Sequence, residues 1–339
     1  MQGEVRKVQL TGGATLIVSL PKEWAKRISL LPGDEVIIVT QPDDTLVVIP
    51  KKLGKRVGVV AELTINQPVA VEEVEKLFMA LYIGGAETVV VRFSPATMGL
   101  RKQIKDFIRR RVVDMEIVEE ASDKLIVQSM VSATELAVAD IAGKMLRLVG
   151  NMLSDLITGL EKDDVAMLRD IIERDDEVDR LYWLMERQLK RAAMSRYIML
   201  ELKIDDPRDI VEYVIIAKSI ERMADHICRI AYVSQEEKID MRIVLPILAN
   251  VAGFLKQAEA LLTGDSSPQK IAELQSEITS WSHRVRREEA FPDPATSVAK
   301  ESAIRIGEYI GDIVESFGRI RLKDKAIVIG EVSGTQQRQ

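Results

Sequence analysis

The amino-acid sequence predicts a multidomain protein: a small β-rich head, a small α/β middle domain and an all-α body made of two three-helix bundle repeats. Three observations lead there. Short β-rich runs fill the first fifty residues, strand-like and helix-like periods alternate from residue 56 to about 130, and beyond Val131 long amphipathic helices follow one another. The expected divisions are 1–52, 55–130, 131–236 and 237–322, then a C-terminal strand and polar tail over 323–339.

In the head, runs 5–10 and 15–19 flank Thr11-Gly12-Gly13-Ala14, a hairpin signal. Pro21 opens a short helix, 22–28, because the first helical turn has no use for the N–H that proline lacks. Leu31-Pro32-Gly33-Asp34 marks a turn, and 35–40 and 45–49 form a second hairpin across Gln41-Pro42-Asp43-Asp44. Four strands in fifty residues enclose very little core, so the head is expected to complete its core against another copy or another domain.

In the middle domain, strands are expected at 57–64, 87–93, 114–119 and 124–129, with helices at 70–84 and 98–112. The second helix carries Arg101, Lys102, Lys105, Arg109, Arg110 and Arg111. Its ordinary reading is a solvated face with a basic C-terminal turn that suits the helix dipole; the alternative is a contact with an anion or a nucleic acid. Six helices are then expected at 131–161, 163–196, 207–236, 239–263, 268–289 and 297–322. Their breaks fall at Asp205-Asp206-Pro207, at Gly264 to Pro268 and at Pro292-Asp293-Pro294. A strand is expected at 326–330.

Residues 1–130 carry 18 basic and 17 acidic side chains, whereas residues 131–339 carry 29 and 36. The helical body is therefore acidic, which argues against broad nucleic-acid binding there and leaves room for metal ions. The single cysteine, Cys228, excludes an internal disulfide and a thiolate zinc cage, and its apolar neighbours point to a small buried filler. The first residues, Met1-Gln2-Gly3-Glu4-Val5-Arg6, lack a signal pattern, and no apolar run approaches the roughly 18 residues of a membrane span, so a cytoplasmic protein is expected.

The candidate chemistry lies in carboxylates four residues apart on helices: Asp175 with Asp179, Glu221 with Asp225, Glu273 with Glu277, and Glu308 with Asp312. Positions i and i+4 share a helix face, and like charges there repel by roughly 0.2–0.5 kcal/mol per pair unless a cation offsets them. Trp183 follows Asp179 by four residues just as Trp281 follows Glu277, which suggests a duplicated unit. Helices joined by a short connection run antiparallel, so Asp175 and Asp179 can face Glu221 and Asp225. Together these would offer the hard oxygen ligands that suit magnesium, manganese or iron. The alternative is a solvated acidic face with ordinary salt bridges to Lys218, Arg222 and Arg229.

Other chemistries fit less well. A ferritin-like di-iron site needs Glu-x-x-His pairs, and neither His226 nor His283 has that spacing. His226 reads as a helix-surface or bundle-packing residue. Thr11-Gly12-Gly13 lacks the lysine and following helix of a phosphate loop, and no nucleophile, base and orienting residue can be assembled. No enzyme is expected.

Ser219-Ile220-Glu221-Arg222-Met223-Ala224-Asp225-His226-Ile227 resembles the third-helix signature of the PhoU family of phosphate-uptake regulators. Arg305-Ile306-Gly307-Glu308-Tyr309-Ile310-Gly311-Asp312-Ile313 looks like its second copy. The resemblance implies two three-helix repeats whose (Glu/Asp)-x-x-x-Asp motifs bind multinuclear metal clusters, with Asp175 and Asp179 as the second-helix motif of repeat one. Repeat two departs from it, since Glu273 and Glu277 end the motif with Glu. The metal would be iron, manganese, zinc or magnesium, and the partner a phosphate transporter ATPase or a sensor kinase.

The first fifty residues are similar to the AbrB/SpoVT swapped-hairpin DNA-binding domain through Arg6-Lys7-Val8, Thr11-Gly12-Gly13, Ser19-Leu20-Pro21-Lys22-Glu23-Trp24 and Leu31-Pro32-Gly33-Asp34-Glu35-Val36. This resemblance implies an intertwined homodimer with Arg6, Lys7, Lys22, Lys26 and Arg27 as DNA candidates. A head with five basic and six acidic side chains could instead serve dimerisation alone. An AbrB-like head on a PhoU-like body looks like an archaeal arrangement. The leading expectation is a dimeric regulator of phosphate uptake. Its rivals are a DNA-binding transcription regulator with a ligand-sensing body and a metal-free helical scaffold.

Overall fold

The computed structural model describes residues 4–41, 43–53, 59–130, 136–264, 267–287 and 293–323. The chain divides into two compact units, the first ending at Gly58 and the second starting at Val59.

The first unit holds two antiparallel hairpins, β1 (Gln9–Thr11) with β2 (Thr15–Ile17) and β3 (Val36–Thr40) with β4 (Leu46–Pro50), and a short helix α1 (Lys22–Arg27). The strands of the first hairpin are shorter than the expected 5–10 and 15–19. Gly12 and Gly13 turn it with φ of 57° and 84°, a conformation that glycine adopts without strain. Among the described residues of this unit only Pro50 is fully buried, while Leu10, Leu16, Ile38 and Leu46 are each more than 60 % exposed. As a single copy, the described residues of the head form no apolar core.

The second unit begins with a four-stranded sheet in the order β5-β6-β8-β7, from β5 (Val59–Ile65), β6 (Ala86–Phe93), β7 (Met115–Glu120) and β8 (Lys124–Ser129). β5 and β6 are parallel, as the crossover through α2 (Val71–Ile83) requires, and β8 pairs antiparallel with β6 and β7. α3 (Arg101–Arg111) follows a 3₁₀ turn at Met98–Leu100, so the expected helix at 98–112 is two pieces. Phe78, Tyr82, Val89, Val91, Ile104, Ile108, Leu125 and Val127 form the core between helices and sheet.

The helical body comprises α4 (Val138–Lys162), α5 (Val165–Met194), α6 (Arg196–Glu201), α7 (Arg208–Glu236), α8 (Met241–Thr263), α9 (Pro268–Arg287) and α10 (Pro294–Leu322). The short α6 was not expected; Ser195 caps it by accepting the Ile198 N–H. Aspartates start three of the long helices, α5, α8 and α10: Asp164 accepts from Met167, Asp240 from Arg242, and Asp293 from Ala295 and Thr296. α4, α5 and α7 form repeat one, and α8, α9 and α10 form repeat two. The repeats join along α7 and α10. Asp209 with Lys323, Glu212 with Arg319 and His226 with Tyr309 show that these two helices run antiparallel. α8 is the one described helix long and apolar enough to cross a membrane, and it packs on α4, α9 and α10. The expected strand at 326–330 lies outside the described residues.

Candidate functional site

α5 and α7 pack antiparallel, with Cys228 opposite Ile171, whose carbonyl accepts its thiol at 3.7 Å. That register brings Asp175 and Asp179 of α5 against Glu221 and Asp225 of α7. Burial raises the Asp175 carboxyl to about 6, and the neighbouring charges of Asp225, Glu221 and Asp176 push the same way. Asp179 is raised to about 7, first by burial, then by Asp175 and Glu221, with Arg111 opposing. Burial and Glu221 also raise Asp225. Each carboxylate thus repels the others, as four hard donors crowded on one seam must.

Basic side chains edge the cluster. Lys218 Nζ lies 2.7 Å from Glu221 Oε1 and stacks over Tyr182, while Arg222 approaches Asp225 at 3.5 Å and Glu221 at 3.8 Å. Arg111 of the α/β domain pairs with Asp176 and lies 3.7 Å from Asp179 Oδ2. Glu221 Oε2 is nevertheless buried and accepts no hydrogen bond. Among the described residues no three His, Cys, Asp or Glu side chains already converge closely enough to hold a metal ion. The four carboxylates face one another without being drawn to a common point.

Two residues behave as packing chemistry demands. His226 stacks on Tyr309 with ring centroids 5.8 Å apart, its Nδ1 makes no hydrogen bond, and burial with Arg305, Arg229 and Arg222 depresses it to about 4. Cys228 lies beside Asp175, and burial pushes its thiol up. Sequence reasoning missed Arg111 as a neighbour of these carboxylates, because it is distant in the chain.

Repeat two is built differently. Glu273 and Glu277 are exposed, and neither lines the cavity of about 370 Å³ that Glu308 and Asp312 border. The α9 residues that do line it are Gln275, Thr279, Ser282 and His283, along with Ile278. The expected carboxylates are two positions out of register, and two residues turn a side chain about 200° around a helix. Glu308 is tied up by Arg286, by Arg305 at 2.8 Å and by the Ser282 hydroxyl at 2.8 Å. Burial raises the Glu308 carboxyl, but these partners outweigh it and hold the group below its ordinary value.

In the head, Arg6 pairs with Glu4, and Lys26 lies 3.7 Å from Glu23. Lys7, Lys22 and Arg27 make no ion pair among the described residues.

Residues 142–233 match the family model of the PhoU domain, and residues 9–56 match that of the antidote-toxin recognition MazE, bacterial antitoxin. The first match lies within repeat one and ends near the end of α7. Both agree with the resemblances carried by the sequence motifs. No curated protein and no solved structure matches the chain.

Proposed function

We propose that this chain is a non-enzymatic regulator of phosphate uptake that binds metal ions through Asp175, Asp179, Glu221 and Asp225 and docks a transporter ATPase or signalling partner with its helical body. The observation that carries the metal reading is the buried Glu221 Oε2, which accepts no hydrogen bond amid mutually repelling carboxylates, within the stretch that matches the PhoU domain. The donor set fits a hard divalent cation, being made of carboxylate oxygens only. A bound cation would supply positive charge, and these side chains would then fix α5 against α7 and stiffen the surface around them. In repeat two, Glu308 and Asp312 face Gln275 and Thr279 in place of acids, so metal would favour repeat one.

The exposed Leu10, Leu16, Ile38 and Leu46 support a homodimer formed through the head, since a second copy would bury what one copy leaves in water. A second reading, operator binding by that head, draws on Lys7, Lys22 and Arg27, which lack ion-pair partners among the described residues.

Metal content by mass spectrometry, on protein purified without chelator, tests the main reading. Stoichiometric iron, manganese, zinc or magnesium in the parent, lost in Asp175→Asn/Asp179→Asn/Glu221→Gln/Asp225→Asn, is the expected result. No metal in the parent, even after soaking, would reduce the body to a carboxylate-faced scaffold. Salt-sensitive affinity for DNA lost in Lys7→Ala/Lys22→Ala/Arg27→Ala would favour the second reading.

A further inference from the structure

Arg111 is the last residue of α3, and it is the point where the α/β domain touches the carboxylate seam. Its guanidinium pairs with Asp176, lies 3.7 Å from Asp179 Oδ2, and sits 5.8 Å from the centroid of the Trp183 ring. Neighbouring Arg109 and Arg110 are exposed. Only the third arginine of the run is aimed at the acids.

The approach is held in place from below. Arg187 of α5 is fully buried; its Nη1 donates to the Tyr82 carbonyl at 2.6 Å, its Nε lies 3.5 Å from Asp114 Oδ2, and it stacks over the Tyr82 ring. Arg191 donates to Glu87 at 2.8 Å. The Tyr82 hydroxyl donates to the Val113 carbonyl at 3.0 Å, so the segment just after Arg111 is fastened to the same anchor. Asp176, Asp179, Trp183, Arg187 and Arg191 succeed one another by three or four residues and form one stripe of α5 facing the α/β domain. Asp179 belongs to this stripe and also to the face turned toward α7.

We propose that Arg111 is a built-in counter-ion that competes with a divalent cation for Asp179, so that metal occupancy of the α5–α7 seam is coupled to the contact between the α/β domain and the helical body. The inference rests on the metal reading above. A cation that claims Asp179 places its charge beside a guanidinium that Asp176 holds on the same face, and the two repel. Metal therefore weakens the hold of Arg111, and by reciprocity Arg111 weakens metal. The α/β domain then has a physical means of sensing whether the seam is filled.

Isothermal titration of the full chain with manganese(II) chloride tests this in the parent, Arg111→Gln, Arg111→Lys and, as a control for long-range charge, Arg109→Gln. Arg111→Gln is expected to tighten manganese binding by roughly five- to tenfold, the scale of one partly screened unit charge a few ångströms away. Arg111→Lys and Arg109→Gln should stay within about twofold of the parent. In the parent, manganese should also speed hydrogen exchange at the C-terminal turn of α3. Equal or weaker binding in Arg111→Gln, or equal tightening in Arg109→Gln, overturns the inference and leaves the metal reading standing. No binding in any variant removes the metal reading and the inference with it.

Discussion

Gly307 of α10 packs against the indole of Trp281 on α9: a Cβ built on Gly307 would come 2.5 Å from Cζ3 and 3.0 Å from Cη2. Trp281 is 2 % exposed and meets Phe254 of α8 edge-on at 5.1 Å, so it cannot retreat. All three helices of repeat two converge on this contact.

Gly307→Ala is therefore expected to destabilise the protein by about 1–3 kcal/mol through overpacking, measured by urea denaturation followed by helical circular dichroism. Gly253→Ala is its counterpart: nothing lies within 4 Å of the added methyl in α8, so the same change should stabilise by roughly 0.5–1 kcal/mol. If both glycines respond alike, close approach to Trp281 is not what sets residue 307.

The charge crowding of the seam gives a pH signature. The Asp175 carboxyl titrates near 6 in the folded chain against an ordinary value of 3.8. Between those values the folded state keeps a proton that the unfolded state has released, so this residue costs stability increasingly as pH rises through that window, and costs most above it. In metal-free protein, Asp175→Asn should raise the melting temperature at about pH 7.5 and change it little below about pH 4. A gain confined to acid would contradict this sign.

Arg187→Ala removes the guanidinium that anchors the α/β domain and leaves Asp114 without its ion-pair partner in a buried setting. A loss of about 3–5 kcal/mol is expected, read as a lower melting temperature. Adding Asp114→Asn removes the stranded charge while tolerating the φ of 68° at that position, so the double variant should recover part of the loss. No recovery would mean that packing against Tyr82 dominates.

Cys228 is the one cysteine, with its thiol pushed up by burial and next by the Asp175 charge. Its reaction with a disulfide reagent at about pH 8 should be at least tenfold slower in native than in urea-unfolded protein. A fast native reaction would show that the α5–α7 seam opens readily.

Much of this protein is legible in its sequence, because local forces set it. Apolar periods with breaks at Asp205-Asp206-Pro207, at Gly264 to Pro268 and at Pro292-Asp293-Pro294 mark the long helices, and the alternation between residues 59 and 130 determines the α/β layer. Repeat one's carboxylates were readable as well, since i and i+4 share a face whatever surrounds the helix. Repeat two was not. The parallel spacing of Trp183 and Trp281 suggested Glu273 and Glu277, yet Trp281 is buried among helices while Trp183 packs on the α/β core beneath Arg111. Which side of α9 faces Glu308 depends on the rotation of a whole helix, and packing of Trp281 on Gly307 and Phe254 decides it. Arg111 was visible only as one basic residue among six on its helix. It stands 68 residues before Asp179 in the chain, and only the docking of α5 through Arg187 and Arg191 brings that charge to that carboxylate. Breaks and periodicity act over a few bonds and belong to the sequence; rotation and docking are settled by which surfaces exclude water together, and that is known only once the chain has folded.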